Sequence, residues 1–316
     1  MRIHQYPFSA KLYPSKNSEF INWGWFENRH RENGNIRESF QEYINRYESG
    51  FLLNPGIDAE KITNFEGLAS TFAKLKTVSE MEAFTLKYGL LGIIEDTNNQ
   101  RYRGDSLFES IDIWKDNILN VRRLMKLYNF IEKRKMDPEI DSNKIFCLKY
   151  WKVDPKNRHE AHLHKYHKNP ETLVVYWNDD EKKKNNPGFF LDKHWQPPNE
   201  DMDFDEALAG YILSKQVTEA LAGGVWVNFT RFDFVKNFNT GFKIQENLYP
   251  RYLISAIYYN LFEIINDKRL VHICEFQGCR LPFEKVGKRK YCSDACKQAA
   301  YRMRKKSTTT FTTNGP

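Results

Sequence analysis

Long apolar runs are missing from this chain of 316 residues. No stretch of about 18 consecutive apolar residues occurs, so no membrane-spanning helix is expected. The N-terminus begins with a cationic residue, but no apolar segment follows it, and we therefore expect no secretory signal peptide. Together these absences predict a cytoplasmic protein with no membrane partner.

The motifs of nucleotide and serine chemistry are also absent. The chain has no phosphate-binding loop of the GxxxxGK type, no GxGxxG and no GxSxG. Each of these motifs places a backbone turn or a nucleophile that its chemistry requires. Nothing therefore indicates nucleotide hydrolysis or serine catalysis, and we expect the chain not to be an enzyme.

Cysteine is scarce and unevenly placed. Of five cysteines, four fall within a window of 23 residues, whereas Cys147 stands alone in an apolar, strand-like segment and is predicted to be a buried packing residue. In a reducing compartment, clustered cysteines are more often metal ligands than disulfide partners. The cluster therefore predicts a metal site.

The spacing of this cluster is Cys274-x4-Cys279-x12-Cys292-x3-Cys296. Two close pairs can deliver four thiolates to the corners of a tetrahedron, which is the geometry of structural Zn²⁺. A catalytic zinc needs an open coordination position, and four cysteines leave none. We therefore predict one structural zinc ion with these four ligands.

The residues between the ligands predict how each pair is held. Gly278 is expected to take a positive φ in the turn of the first pair. Ser293 or Asp294 is expected to cap a helix that carries the second pair. Between the pairs, two short segments flank Gly287 like a hairpin. A turn, a hairpin and a ligand-bearing helix together are typical of a treble-clef zinc finger.

Positive charge is concentrated on this same segment. The chain has 48 Lys and Arg against 41 Asp and Glu, a net charge of +7. Residues 274–306 contain ten of these bases and three of the acids, which leaves 38 of each in the remainder. The whole net charge therefore lies on the cysteine-bearing segment, a distribution that favours an anion-binding surface.

A basic helix is predicted after Cys296. Arginine can fork onto a phosphate or a guanine edge, lysine supplies a point charge, and tyrosine can stack on a base. We predict a nucleic-acid-binding surface, with DNA as the expected partner, formed by Arg280, Lys288, Arg289, Lys290, Lys297, Tyr301, Arg302, Arg304, Lys305 and Lys306. Two alternatives remain open: a solvated helix without a partner, and an adaptor surface for an acidic protein. The body is expected to sense a ligand or to form a homodimer.

The stretch from Cys274 to Arg302, with CEFQGCRLPF and RKYCSDACKQAAYR, resembles the CGNR-type zinc fingers of bacterial and phage proteins. In this chain Lys297-Gln298-Ala299 follow the last cysteine, where the family has Gly-Asn-Arg. The resemblance implies a C-terminal finger after a helical domain of unknown function, the four cysteines as zinc ligands, and a role in transcription regulation through DNA binding.

We predict an α+β fold, with a mostly helical body and a small C-terminal treble-clef finger. The expected regions are a mostly helical N-terminal part at 1–144, an α+β middle part at 145–273 that ends in a long helix, the finger with its basic helix at 274–306, and a disordered tail at 307–316.

Apolar residues recur at helical spacing in several segments. The clearest helix is predicted over 108–134, and its buried face is expected to contain Ile111, Trp114, Ile118, Val121, Leu124, Met125 and Tyr128. Ser79 and Glu82 predict a capping box for an earlier helix. Strands are predicted over 145–151 and 172–177, and further helices over 204–222 and 248–266.

Four of the eight histidines lie in a polar segment, His159–His167. The segment lacks the HExxH pattern of zinc proteases. We interpret it as a polar loop; a second metal site or a catalytic site is the alternative that would make the chain an enzyme.

Overall fold

The computed structural model describes part of the chain in detail. The described residues are 9–14, 49–54, 66–95, 101–103, 108–139, 147–152, 173–178, 189–191, 195, 197, 202–222, 224–230 and 245–311. They contain a mixture of helices and small antiparallel sheets, as the predicted α+β class requires.

The described elements alternate irregularly along the chain. In chain order they are β1 Ser9–Pro14, β2 Ser49–Asn54, α1 Leu68–Lys74, α2 Val78–Tyr88, β3 Ile93–Glu95, β4 Arg101–Arg103, β5 Phe108–Ser110, α3 Ile111–Met136, β6 Leu148–Lys152, β7 Leu173–Trp177, β8 Phe189–Leu191, α4 Phe204–Leu221, β9 Val225–Thr230, β10 Gln245–Pro250, α5 Leu253–Asn266, β11 Val271–Ile273, β12 Pro282–Glu284 and α6 Asp294–Phe311.

The chain divides into two compact units, each discontinuous in sequence. The first comprises Met1–Val121 and Val217–Asp267, and the second comprises Arg122–Gln216 and Lys268–Pro316. The boundaries fall inside α3, inside α4 and just after α5. They differ from the boundaries at 144/145 and 273/274 that the sequence predicted.

The first unit holds an aromatic core. Its strands pair antiparallel in the order β1-β2-β5, with two further pairs, β3-β4 and β9-β10. The Trp114 ring lies 5.2 Å from Phe51, 5.9 Å from Phe72 and 6.2 Å from Phe84, measured between ring centroids. Helix α5 is joined to α1 because Asn260 Oδ1 accepts a 3.0 Å hydrogen bond from the Ala69 N–H.

A buried carboxyl group, that of Glu109 on β5, joins three parts of this unit. It accepts hydrogen bonds of 2.7–2.9 Å from the backbone N–H groups of Leu91, Gly92 and Ile93 and from the Trp114 indole. Burial raises the pKa of Glu109 to about 7, although all four donors act in the opposite direction. The segment before β3 is thereby fixed to β5 and α3.

The second unit contains the antiparallel sheet β6-β7-β8 and the pair β11-β12. Val174 and Val175 on β7 are fully buried, and the Arg123 guanidinium of α3 lies 5.4 Å from the centre of the Trp177 ring. Asn129 on α3 donates a 2.6 Å hydrogen bond to the carbonyl of Val271. This bond anchors β11, the strand that leads directly into Cys274.

Several predicted elements have different limits in the structure. All seven residues predicted for the buried face of α3 are buried, but the helix spans 111–136 and follows strand β5. The capping box of α2 is formed by Thr77 and Glu80, not by Ser79 and Glu82. Hydrogen bonds from the Lys76 and Thr77 backbone lower the pKa of Glu80, which suits a carboxylate at a helix start.

Two further boundaries move near the C-terminus. Helix α5 ends at Asn266 as predicted but begins at Leu253 rather than at 248, because Gln245–Pro250 forms β10. Strand β11, rather than the helix, leads into the cysteine cluster. Helix α6 continues to Phe311, five residues into the segment where the sequence predicted a disordered tail from 307. Residues 312–316 lie outside the described part of the chain.

Two glycines with positive φ allow a matched test of packing in the first unit. Gly92 has φ 81°, and a Cβ there would lie 2.7–3.0 Å from Tyr252, including its Cβ; Gly67 has φ 72° and open space around it. Gly67→Ala should cost about 1–2 kcal/mol of unfolding free energy through backbone strain alone. Gly92→Ala should cost about 1–3 kcal/mol more because of the clash. Equal losses in urea denaturation would contradict this packing.

The stability of the first unit should also depend on pH through Glu109. Between about pH 4.5 and 7 the native carboxyl keeps a proton that the unfolded chain releases, so its contribution falls as pH rises. The wild-type advantage over Glu109→Gln, which does not titrate, should therefore shrink by about 1.4 kcal/mol per pH unit in that window. Urea denaturation of both proteins at several pH values measures it; an advantage that grows with pH would contradict it.

Candidate metal centre

The first pair of cysteines lies at the two ends of a tight turn that follows β11. The backbone N–H of Cys274 donates to the Leu281 carbonyl at 2.9 Å, while Cys279 and Arg280 both donate to the Phe276 carbonyl, at 2.8 and 3.2 Å. The turn therefore folds back on itself, and strand β12, paired antiparallel with β11, follows at once.

The left-handed residue of this turn is Arg280, with φ 51°, rather than Gly278 as the sequence predicted. Gly278 instead stands where space is tight. A Cβ at this position would lie 3.0 and 3.1 Å from two atoms of the Phe276 ring, closer than ordinary contacts allow. Gly287 does have a positive φ of 59° and forms the turn after β12.

The second pair of cysteines brackets the start of α6. Ser293 is the helix cap: its hydroxyl accepts a 3.2 Å hydrogen bond from the Cys296 N–H, and its carbonyl accepts one from Lys297. Cys292 stands just before the cap and Cys296 in the first turn. Of the two capping candidates in the sequence, the structure selects Ser293.

These two features bring the four sulfurs together. All four Sγ atoms lie within 4.8 Å of one another. The Cys279–Cys292 and Cys292–Cys296 separations are 3.5 and 3.6 Å. A tetrahedron with metal–sulfur bonds of about 2.3 Å has edges of about 3.8 Å, and the five cysteines form no disulfide. Cys274, Cys279, Cys292 and Cys296 therefore lie close enough to bind one metal ion.

The sulfur cluster lies in a small apolar core. Cys274, Cys292 and Phe283 are buried together, and Phe276 and Tyr291 pack against them. Burial raises the pKa values of the Cys274 and Cys292 thiols, and the neighbouring thiols raise that of Cys292 further. Four thiolates cannot share this space without a cation, so the donor set fits a metal ion that binds thiolate strongly.

Contacts outside the sulfur cluster fix the strands that carry it. Arg269 donates to Glu284 at 2.9 Å, and the Lys285 N–H donates to the Leu270 carbonyl at 2.7 Å. With the Asn129 contact to Val271, these bonds hold β11 and β12 in register. None of these contacts could be predicted from the sequence, because partners far apart in the chain carry no local pattern.

The predicted basic residues are distributed around this centre. Arg280 follows the first ligand pair, and Lys288, Arg289 and Lys290 occupy the segment between β12 and the second pair. Arg289 donates to the Cys292 carbonyl at 3.2 Å, and Lys290 lies 3.6 Å from Glu275. Two residues of the predicted surface, Arg289 and Lys290, therefore make contacts with other residues of the finger.

Helix α6 carries the other predicted residues on its exposed surface. Lys297, Tyr301, Arg302, Arg304 and Lys305 are all exposed, and all five line one groove with Tyr291, Asp294 and Gln298. Lys306 lies in the helix, but its side chain is outside the described part of the chain. Tyr291 was absent from the predicted surface, although its place beside Cys292 puts it next to the helix start.

The remaining candidates are outside this centre or outside the described residues. Cys147 is half-buried just before β6, whereas the segment His159–His167 is not among the described residues. Within the described ranges, the four cysteines are the group of three or more His, Cys, Asp or Glu side chains close enough to share a metal ion. None of the helices in those ranges is long and apolar enough to cross a membrane.

Comparisons of this chain with protein-family models, curated proteins and solved structures gave no match.

Metal content tests the centre directly. Full-length protein purified without chelator should contain one metal ion per chain by elemental analysis, because four thiolates fill one tetrahedral site. Cys292→Ser should lose that metal, since it removes the sulfur that lies within 3.6 Å of two others.

Two control variants should keep the metal. Cys147→Ser removes the cysteine outside the cluster, and a variant with His159, His162, His164 and His167 all changed to Ala removes the histidine segment. Wild-type protein without stoichiometric metal would contradict the centre. A histidine variant that loses half of the metal would reveal a second site and favour an enzyme.

Proposed function

We propose that the chain is a zinc-dependent nucleic-acid-binding protein that acts through residues 268–311. The observation that carries the proposal is the charge: the entire net +7 lies within residues 274–306, on the segment that the sulfur cluster organises. Such localised charge is the usual electrostatic footprint of nucleic-acid recognition.

Zinc is the metal that fits best. Tetrahedral sites of four thiolates are typical of Zn²⁺ or of iron–sulfur sites. Structural zinc is held by pairs of cysteines at short spacings, as here. With no ligand position left for water, the ion would have a structural role. The turn, the strand pair β11-β12 and the ligand-bearing helix α6 support a treble-clef assignment, with its first strand beginning at Val271 rather than at Cys274.

The zinc ion would position the basic helix. Cys296 lies in the first turn of α6, so metal binding fixes the direction in which an 18-residue helix leaves the finger. That helix is about 27 Å long. A rigid helix with exposed Arg and Lys can lie in a DNA groove or along a phosphate backbone. Regulation of transcription is the role that we infer for such binding.

A second candidate is an adaptor for an acidic protein. Two exposed apolar side chains support it: Val286 is 73% exposed beside Lys285, and Met303 is 52% exposed between Arg302 and Arg304. Mixed basic and apolar surfaces are common in protein interfaces, where Arg and Met are enriched. The same charge would then steer an acidic partner instead of a nucleic acid.

Salt dependence separates a phosphate-binding surface from the adaptor. Each phosphate neutralised on duplex DNA contributes a slope of roughly −0.9 to log K against log salt. If four or five of the ten bases reach phosphates, the full-length protein should show a slope of about −4. Fluorescence anisotropy with labelled DNA at several salt concentrations measures this slope.

Single substitutions complete the test. Arg302→Ala and Arg304→Ala should each weaken binding and, where the lost contact is to phosphate, flatten the slope by about one unit. Lys115→Ala, which removes an exposed lysine of α3, is the matched control and should change neither quantity. Failure of the wild-type protein to bind nucleic acid at low salt would leave the adaptor as the function.

A further inference from the structure

The groove on α6 combines aromatic and basic side chains in a way that a purely phosphate-binding surface would not need. Two tyrosines, Tyr291 and Tyr301, line it together with Lys297, Arg302, Arg304 and Lys305. Its one carboxylate is that of Asp294. The lining therefore offers two ring faces, four cations and one anion within a single depression.

We propose that this groove binds single-stranded nucleic acid, with unpaired bases stacked on the tyrosines and phosphates held by the four cations. The inference rests on the proposed nucleic-acid-binding function and names its substrate. Proteins that bind single strands combine a cationic track with aromatic rings, because every base presents a π face regardless of sequence.

The two tyrosines differ in how much of each side chain is exposed to solvent. Tyr291 is half-buried and packs against the core of Cys274, Phe283 and Cys292, so this core holds in place a residue that lines the groove. Tyr301 is 63% exposed on the helix. A base that stacked on Tyr301 would cover an aromatic surface that otherwise faces water, which is favourable.

Helical spacing places the groove residues in order along the helix. Lys297 and Gln298 lie three and four residues after Asp294. Tyr301 lies three residues after Gln298 and Lys305 four residues after Tyr301, so all five share one face of α6. Asp294 lies at the N-terminal end and the arginines lie toward the C-terminal end. The phosphates would therefore lie along the end of the groove that Arg302, Arg304 and Lys305 line, and Gln298, which is one helical turn before Tyr301, would be available to bond a base edge.

Duplex DNA does not expose the faces of its bases to the two tyrosines. Its bases are stacked on one another and show only their edges in the grooves. A tyrosine ring can stack on a base only where the strand is unpaired, as in single strands, loops and bulges. The tyrosines would consequently contribute little to duplex binding, whereas the cations would serve either form.

The experiment compares full-length protein, with its metal, on three probes in fluorescence anisotropy. The probes are single-stranded DNA of about 12 nucleotides, a length within the usual site size, the same sequence as RNA, and the DNA in duplex form. The variants are Tyr301→Ala, Tyr301→Phe and, as an exposed control outside the groove, Met303→Ala. Metal content is measured for each, so a damaged finger is recognised.

We expect the single strands to bind more tightly than the duplex. Tyr301→Ala should weaken single-strand binding by about 5- to 150-fold, the range given by loss of one base–aromatic stack. Tyr301→Phe, which keeps a stacking ring, and Met303→Ala should stay within about twofold of wild type. Tighter binding of the RNA strand would identify RNA as the source of the ligand, and equal binding would indicate that stacking and phosphate contacts suffice.

Two results would overturn the inference in distinguishable ways. If the duplex binds at least as tightly and Tyr301→Ala weakens neither form, the groove is not a single-strand site, although the nucleic-acid function stands. If no probe binds at low salt, this inference and the proposed function both fail.

Discussion

Four cysteine sulfurs within 4.8 Å of one another impose the constraint on which the C-terminal part of the molecule depends. As thiolates they would repel one another in a space from which water is largely excluded, and burial already raises the pKa values of two of them. A divalent cation would neutralise the thiolates, which reduces both their mutual repulsion and the free-energy cost of burying their charge. The turn of the first pair, the strand pair β11-β12 and the start of α6 all meet at this point, so one bound ion would hold all three together.

The surface properties of the segment follow from that arrangement. Cys296 and the Ser293 cap fix the first turn of α6, and Tyr291 is held against the sulfur core. The basic residues and Tyr301 then extend along a helix whose origin is fixed. Charge alone would suit any polyanion. Its confinement to the finger is why we propose nucleic acid, and the two tyrosines that share a groove with four of the cations are why we propose unpaired bases in particular.

The sequence predicted those features of the fold and of the candidate site that depend on residues close together in the chain. The cysteine spacing identified four sulfurs that the structure brings together, and the periodicity of α3 identified its buried face. The capping box was displaced by two residues, since Thr77 with Glu80 and Ser79 with Glu82 fit the same pattern. The positive φ predicted for Gly278 is adopted by Arg280, because the sequence shows a glycine in the turn but not whether its conformation or the tight space around it matters there. Glu109 and Asn129 were missed, since their partners are set by tertiary contacts.

The central claim is that the metal organises the nucleic-acid-binding surface. A titration of full-length protein with a zinc chelator, with metal content and anisotropy of a labelled oligonucleotide recorded on the same samples, tests it most directly. The account predicts that bound metal and bound oligonucleotide decline together and that both return when Zn²⁺ is added back. Undiminished oligonucleotide binding by metal-free protein would contradict it.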